Sequence, residues 1–136
     1  MNTQAFAKTI AAASLAAVAT LGIATPAHAA NSCRNVALAF TNDTEAKINI
    51  VDVDYWDPAK GRNGGWRSEP VINETLEPGT TWRETRNLEK VNARETKIRF
   101  EYRIKGKLGG WSFKKYKVET NAAVCNSRTE FLASVE

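Results

Sequence analysis

Across residues 97–105 the chain alternates without a break. Ile98, Phe100, Tyr102 and Ile104 fall on one parity, and Lys97, Arg99, Glu101, Arg103 and Lys105 on the other. Successive side chains of an extended strand point to opposite faces, so this pattern commits the segment to a β-strand with one face in a core. A helix would scatter the same residues around its circumference.

The period of two recurs along the chain. Val36, Leu38 and Phe40 alternate and then meet a polar turn at 41–45. Ile48 and Ile50 resume the alternation, but Val51, Val53 and Tyr55 continue it on the opposite parity. One extra residue near Ile50-Val51 reconciles the two halves, which predicts a β-bulge there. The run 57–65 reads as a loop, and 66–72 as a weaker strand that Pro70 assigns to a sheet edge. Glu77-Pro78-Gly79 is a turn by its chemistry, 80–86 a strand, and 88–95 an irregular or briefly helical connection. Residues 106–110 turn the 98–104 strand into Trp111, Phe113, Tyr116 and Val118, with a slip of parity at Lys114-Lys115, and 129–135 closes the chain. Seven or eight short strands and no long helix predict an all-β domain. The expected form is a single antiparallel β-sandwich, Ig-like in general architecture, with a small barrel as the alternative.

Residues 1–29 have the parts of a cleavable export signal. Lys8 supplies a short positive region, 10–23 are apolar and small, Thr25-Pro26 breaks any helix, and Ala27-His28-Ala29 offers small residues to a signal peptidase. The apolar run, about 14 residues, is shorter than the roughly 20 that a membrane span needs. Ala30-Asn31-Ser32 before Cys33 lacks the leucine of a lipidation site. A cut after Ala29 leaves 30–136 as one domain, predicted to be soluble and either periplasmic or secreted. In an oxidising compartment Cys33 and Cys125 are expected to form one disulfide. Closing a loop of about 90 residues stabilises by roughly 4–5 kcal/mol on the chain-entropy argument.

Several chemistries are excluded on this reading. The sole histidine, His28, leaves with the signal, so Ser-His-Asp and Cys-His mechanisms and histidine-ligated metals have no basis. Gly106-Lys107 resembles the end of a phosphate loop, but Glu101 and Leu108 stand where its first glycine and its Ser or Thr belong. Asp52, Asp54 and Asp57 lack the spacing of an EF-hand and read as two residues on the solvent face of a strand and one in a turn. No catalytic residue, metal ligand or cofactor is predicted. Paired carboxylates alone could still drive glycoside hydrolysis.

Charge is the informative signal. Once Lys8 leaves, the 19 basic residues become 18 against 15 acidic, yet 97–117 holds eight basic residues and one acid. Lys97, Arg99, Arg103, Lys105, Lys107, Lys114, Lys115 and Lys117 are therefore the candidate anion-binding set, with Arg99 and Arg103 expected to face solvent. Like charges opposed on a sheet carry a cost that an anionic partner offsets. Among four tryptophans, one is expected in the core, and Trp56, Trp66 and Trp111 are candidate contact residues. Gly64-Gly65-Trp66 and Gly109-Gly110-Trp111 read as one turn solution used twice.

The leading expectation is an exported, non-catalytic binding domain whose basic hairpin meets envelope polysaccharide, lipid headgroups or an acidic protein. Nucleic acid is a less natural target for an exported chain. The alternative is an inhibitor or immunity-type partner of an exported enzyme, acting through loops 57–65 and 87–95. A small carboxylate-dependent hydrolase is third.

Overall fold

A computed structural model describes residues 31–136; the predicted signal at 1–29, with His28, lies outside the described residues. Ten strands order the described chain. In the first sheet β1 (Cys33–Asn42) lies between β5 (Thr81–Leu88) and β10 (Glu130–Val135). In the second, β2 (Ile48–Asp57) and β7 (Ile98–Ile104) form the centre, β3 (Gly65–Glu69) and β8 (Tyr116–Glu119) the edges, and β4 (Glu74–Leu76) pairs with the start of β2. A third, small sheet joins β6 (Glu95–Thr96) to β9 (Ala123–Val124).

The alternation does what was expected of it. Leu38 and Phe40 of β1, Ile48, Ile50 and Val53 of β2, Ile98 and Phe100 of β7, and Phe131 of β10 are all buried in one cluster. The Phe40 and Phe100 rings stack with centroids 4.8 Å apart, so the first two sheets share this core. The bulge falls where the parity changed: the β2–β7 register slips between Ile50 and Asp52, which lets both Ile50 and Val53 turn inward. Cys33 and Cys125 are joined, with Cα atoms 5.9 Å apart, and tie the start of β1 to the residue after β9. No helix of the described residues is long and apolar enough to cross a membrane.

Three details differ from expectation. β1 and β10 run parallel, so the strands are not all antiparallel; alternation says which residues face inward, not which way a neighbour runs. The weak strand expected over 66–72 ends at Glu69, before Pro70, so 70–72 lie outside any strand, and a short β4 that was not expected follows at Glu74–Leu76. The expected strand through Trp111 and Phe113 shrinks to β8, with only a single bridge between Lys105 and Trp111 beyond it. Ser112 explains the interruption. Its hydroxyl accepts from the Ile104 N–H at 3.1 Å and donates to the Lys114 carbonyl at 2.8 Å, so a side chain occupies the place of a ladder acceptor and 112–115 leaves the sheet.

Candidate anion-binding surface at the hairpin tip

The outward face of the second sheet carries the predicted ladder, and the sheet register interleaves it with acids. Arg99 stands between Asp54 on β2 and Glu119 on β8, and Glu101 faces Lys117. Arg99 grips Asp54 through Nη2 at 2.5 Å and Nε at 3.0 Å. Lys97 pairs with Glu119, and Glu101 receives Lys117 at 2.8 Å and Lys115 at 3.6 Å. The hydrogen bond from Lys117 holds the Glu101 carboxyl below its usual pKa against the opposing effect of burial, aided by the charges of Lys117, Lys115 and Arg99.

This corrects the expectation of a solvent-facing ladder of like charge. Arg99 is only 17% exposed and roofed by Trp66, whose ring centroid lies 4.1 Å from the guanidinium carbon. The count along 97–117 missed Asp54 and Glu119 because sheet neighbours come from outside that window. Asp54 itself is buried beneath Arg99 and not on a solvent face. The other two aspartates are also engaged. Asp52 accepts from Ser68 at 2.9 Å, and Asp57 accepts from the Ala59 N–H at 2.9 Å and from Arg67 at 2.7 Å. Burial raises the Asp57 pKa, but those two hydrogen bonds and the charges of Arg67 and Arg94 outweigh it and hold the carboxyl below its usual value. No group of three or more metal-ligating side chains occurs among the described residues.

Glu69 and Glu84 share the cation of Arg86, at 3.6 and 2.8 Å. Burial raises the Glu69 pKa, Arg86 opposes this, and Glu89 and Glu84 reinforce it. Tyr55 nearby is pushed up to about 12 by burial and then by the charge of Glu69. This cluster bridges β3 and β5 and its acids are held by their common arginine.

The tryptophans separate by role. Trp82 packs edge-on against Phe100, with centroids 5.9 Å apart, and is the one that joins the core. Trp56 and Trp66 meet edge to face at 5.4 Å, and Lys97 lies 5.4 Å from the Trp66 ring, so both are committed to contacts within the molecule. Trp111 stands apart, 36% exposed, with the Lys105 ammonium 5.9 Å from its ring.

The basic set thus divides. Lys97, Arg99, Lys115 and Lys117 are ion-paired, whereas Arg103, Lys105, Lys107 and Lys114 make no ion pair among the described residues. Lys105, Lys107 and Lys114 flank the turn where β7 leaves the sheet, whereas Arg103 stands opposite Asn49 within the sheet, half-buried with its Nε covered, and so does not face solvent in full as expected. A tight turn closes this end, with Gly106 donating to the Gly110 carbonyl at 2.7 Å and Gly109 to the Gly106 carbonyl at 2.9 Å. Gly109 has φ +90°, a conformation that glycine adopts freely. Leu108 and Phe113 project from it at 103% and 102% exposure. Beside them runs a groove of about 470 Å³ lined by Ile104, Lys107, Leu108, Trp111, Ser112 and Tyr116. A neighbouring pocket that shares Ile104 and Lys107 with this groove is mixed in sign, with Lys47, Lys105 and Lys107 alongside Asp43, Glu45 and Glu136. Leu108 lies outside the expected site residues, and Phe113 lies before β8 and not in the strand that its alternation predicts. The glycine-flanked apolar residues among lysines were the signal that could have found them.

No family model, curated protein or solved structure matches this chain.

Proposed function

We propose that this chain is an exported, non-catalytic binding domain that meets an anionic surface through the tip of its β7–β8 hairpin. The observation that carries the reading is the division of the basic residues: half neutralise acids within the sheet, and Arg103, Lys105, Lys107 and Lys114, from the end of β7 to the segment before β8, make no ion pair among the described residues. A local excess of positive charge raises the concentration of an anionic partner at that end and orients its approach. Export is supported by the pattern of 1–29 and by the disulfide, which persists in oxidising compartments. The architecture is read as a β-sandwich, Ig-like in general terms, supported by one core shared between two principal sheets.

The test is a titration of the purified, disulfide-bonded protein against dextran sulfate at low and physiological salt. Affinity should fall as salt rises, and Lys107→Glu should weaken binding and flatten that dependence. Binding indifferent to both salt and Lys107→Glu would remove the basis of this reading.

A further inference from the structure

We infer that the surface met by the hairpin tip is a phospholipid bilayer with anionic headgroups, into which Leu108 and Phe113 insert. The inference rests on the anionic-surface reading and names its partner. Three observations carry it.

First, the cations do not stand alone. Leu108, on the turn, and Phe113, in the bend that follows Trp111, are both exposed in full, and Lys105, Lys107 and Lys114 lie within three residues of one or the other. A soluble polysaccharide can stack on an aromatic ring, but it offers no hydrocarbon to a leucine. An acyl-chain region accepts both side chains. Stable membrane attachment takes two signals, such as buried apolar surface and a basic patch, and this tip presents both within eleven residues, 105–115.

Second, the residues behind the two apolar side chains suit the headgroup layer. Trp111 is partly exposed and amphipathic, as at membrane interfaces. The Lys114 ammonium lies 5.0 Å from the Tyr116 ring, and long lysine stems cover apolar surface while their charge stays in the polar layer. Around Gly109 and Gly110 nothing lies within 4 Å of where a Cβ would be, so the backbone can approach a headgroup closely.

Third, the acids at this end stand apart from the groove. Asp43, Glu45 and Glu136 line a neighbouring pocket together with Lys47, Lys105 and Lys107, and none of them lines the groove of Trp111 and Tyr116. An anionic surface therefore meets least repulsion on the Trp111–Tyr116 side.

Vesicle flotation tests this, with phosphatidylcholine alone, with a phosphatidylcholine–phosphatidylglycerol mixture, and with dextran sulfate as a polyanion without hydrocarbon. The full protein should float with the phosphatidylglycerol vesicles only and be released by salt. Leu108→Ser/Phe113→Ser should lower that affinity by about tenfold or more, since insertion scales with apolar area, and leave dextran sulfate binding unchanged. Ile72→Ser alters a residue 89% exposed but outside the tip and should change neither. A melting temperature equal to wild type shows that the double variant is folded. Flotation undiminished in the double variant overturns insertion. Binding to dextran sulfate without flotation overturns the bilayer and leaves the anionic-surface reading standing, whereas binding to neither overturns both. Equal flotation with phosphatidylcholine alone overturns the requirement for anionic headgroups.

Discussion

The tripeptide Gly-Gly-Trp occurs twice and is used in opposite ways. At 64–66 the turn is packed into the molecule. Gly64 has φ +82°, and a Cβ there would fall 2.4 Å from the Trp56 ring. The tryptophan that follows is covered by Arg99 and Lys97. At 109–111 the turn is open: a Cβ at either glycine would have no atom within 4 Å, and Trp111 lines a groove between two fully exposed apolar residues in sequence, Leu108 and Phe113. The difference comes from what lies opposite in the sheet. β3 runs beside the long β2, which supplies Trp56 and Asp54, whereas the β7–β8 turn extends past the end of the β7–β8 ladder at Tyr102 and Tyr116 and is closed only by the single Lys105–Trp111 bridge. Closed surroundings make the first turn structural, and open ones leave the second available to a partner.

The comparison should show first in charge reversal. Arg99→Glu would set a second carboxylate against Asp54, which is 6% exposed, and should destabilise by about 3–5 kcal/mol in urea unfolding. The domain would then unfold well below the wild-type midpoint. A change within about 0.5 kcal/mol, the value typical of a free surface site, would mean that the Asp54–Arg99–Trp66 stack holds nothing together.

Next come the glycines, as a graded series. Gly64→Ala combines a positive φ with overlap on an aromatic ring and should cost about 2–4 kcal/mol. Gly109→Ala meets only the backbone conformation, φ +90°, and should cost about 1 kcal/mol. Gly110→Ala meets neither and should fall within about 0.5 kcal/mol of wild type. Thermal unfolding of the three ranks them; equal costs at 64 and 110 would erase the distinction between the turns.

A smaller effect is expected on acidification. The folded-state pKa values of Glu101 and Asp57 lie below their ordinary 4.5 and 3.8. Their contribution is therefore complete above those ordinary values and is lost as pH falls through the lowered ones. Lys117→Gln removes the leading cause of the Glu101 shift, so its melting temperature should depend less steeply on pH over that acid window. An unchanged acid profile would separate Glu101 from the paired face. Smallest of all, Leu108→Ser and Phe113→Ser should each leave stability within about 0.5 kcal/mol, because neither side chain packs on the core.

Much of the fold was legible because alternation is a local property. The strands at 98–104 and 36–40, the slip at Ile50-Val51 and the turn at 77–79 all follow from neighbours in sequence, and the cysteine pair follows from there being only two cysteines to join. The direction of β10 and the pairing of Arg99 with Asp54, 45 residues apart, were not legible, since both depend on which strands lie side by side. Phe113 misled for a specific reason: its apolar character continued an alternation that the Ser112 hydroxyl had already ended. The charge count found the right hairpin, but only the register could show which lysines were already spent.

The most direct test of the account is a charge-matched pair of variants. Lys105→Gln/Lys107→Gln and Lys115→Gln/Lys117→Gln remove equal charge from the same hairpin, the first from the open tip and the second from the ion-paired face. Titrated against dextran sulfate across a range of salt, the tip pair should lose most of the affinity and most of the salt dependence, while the sheet pair keeps both. Equal losses would mean that only net charge matters, and a larger loss in the sheet pair would place the contact surface on the face assigned here to stability.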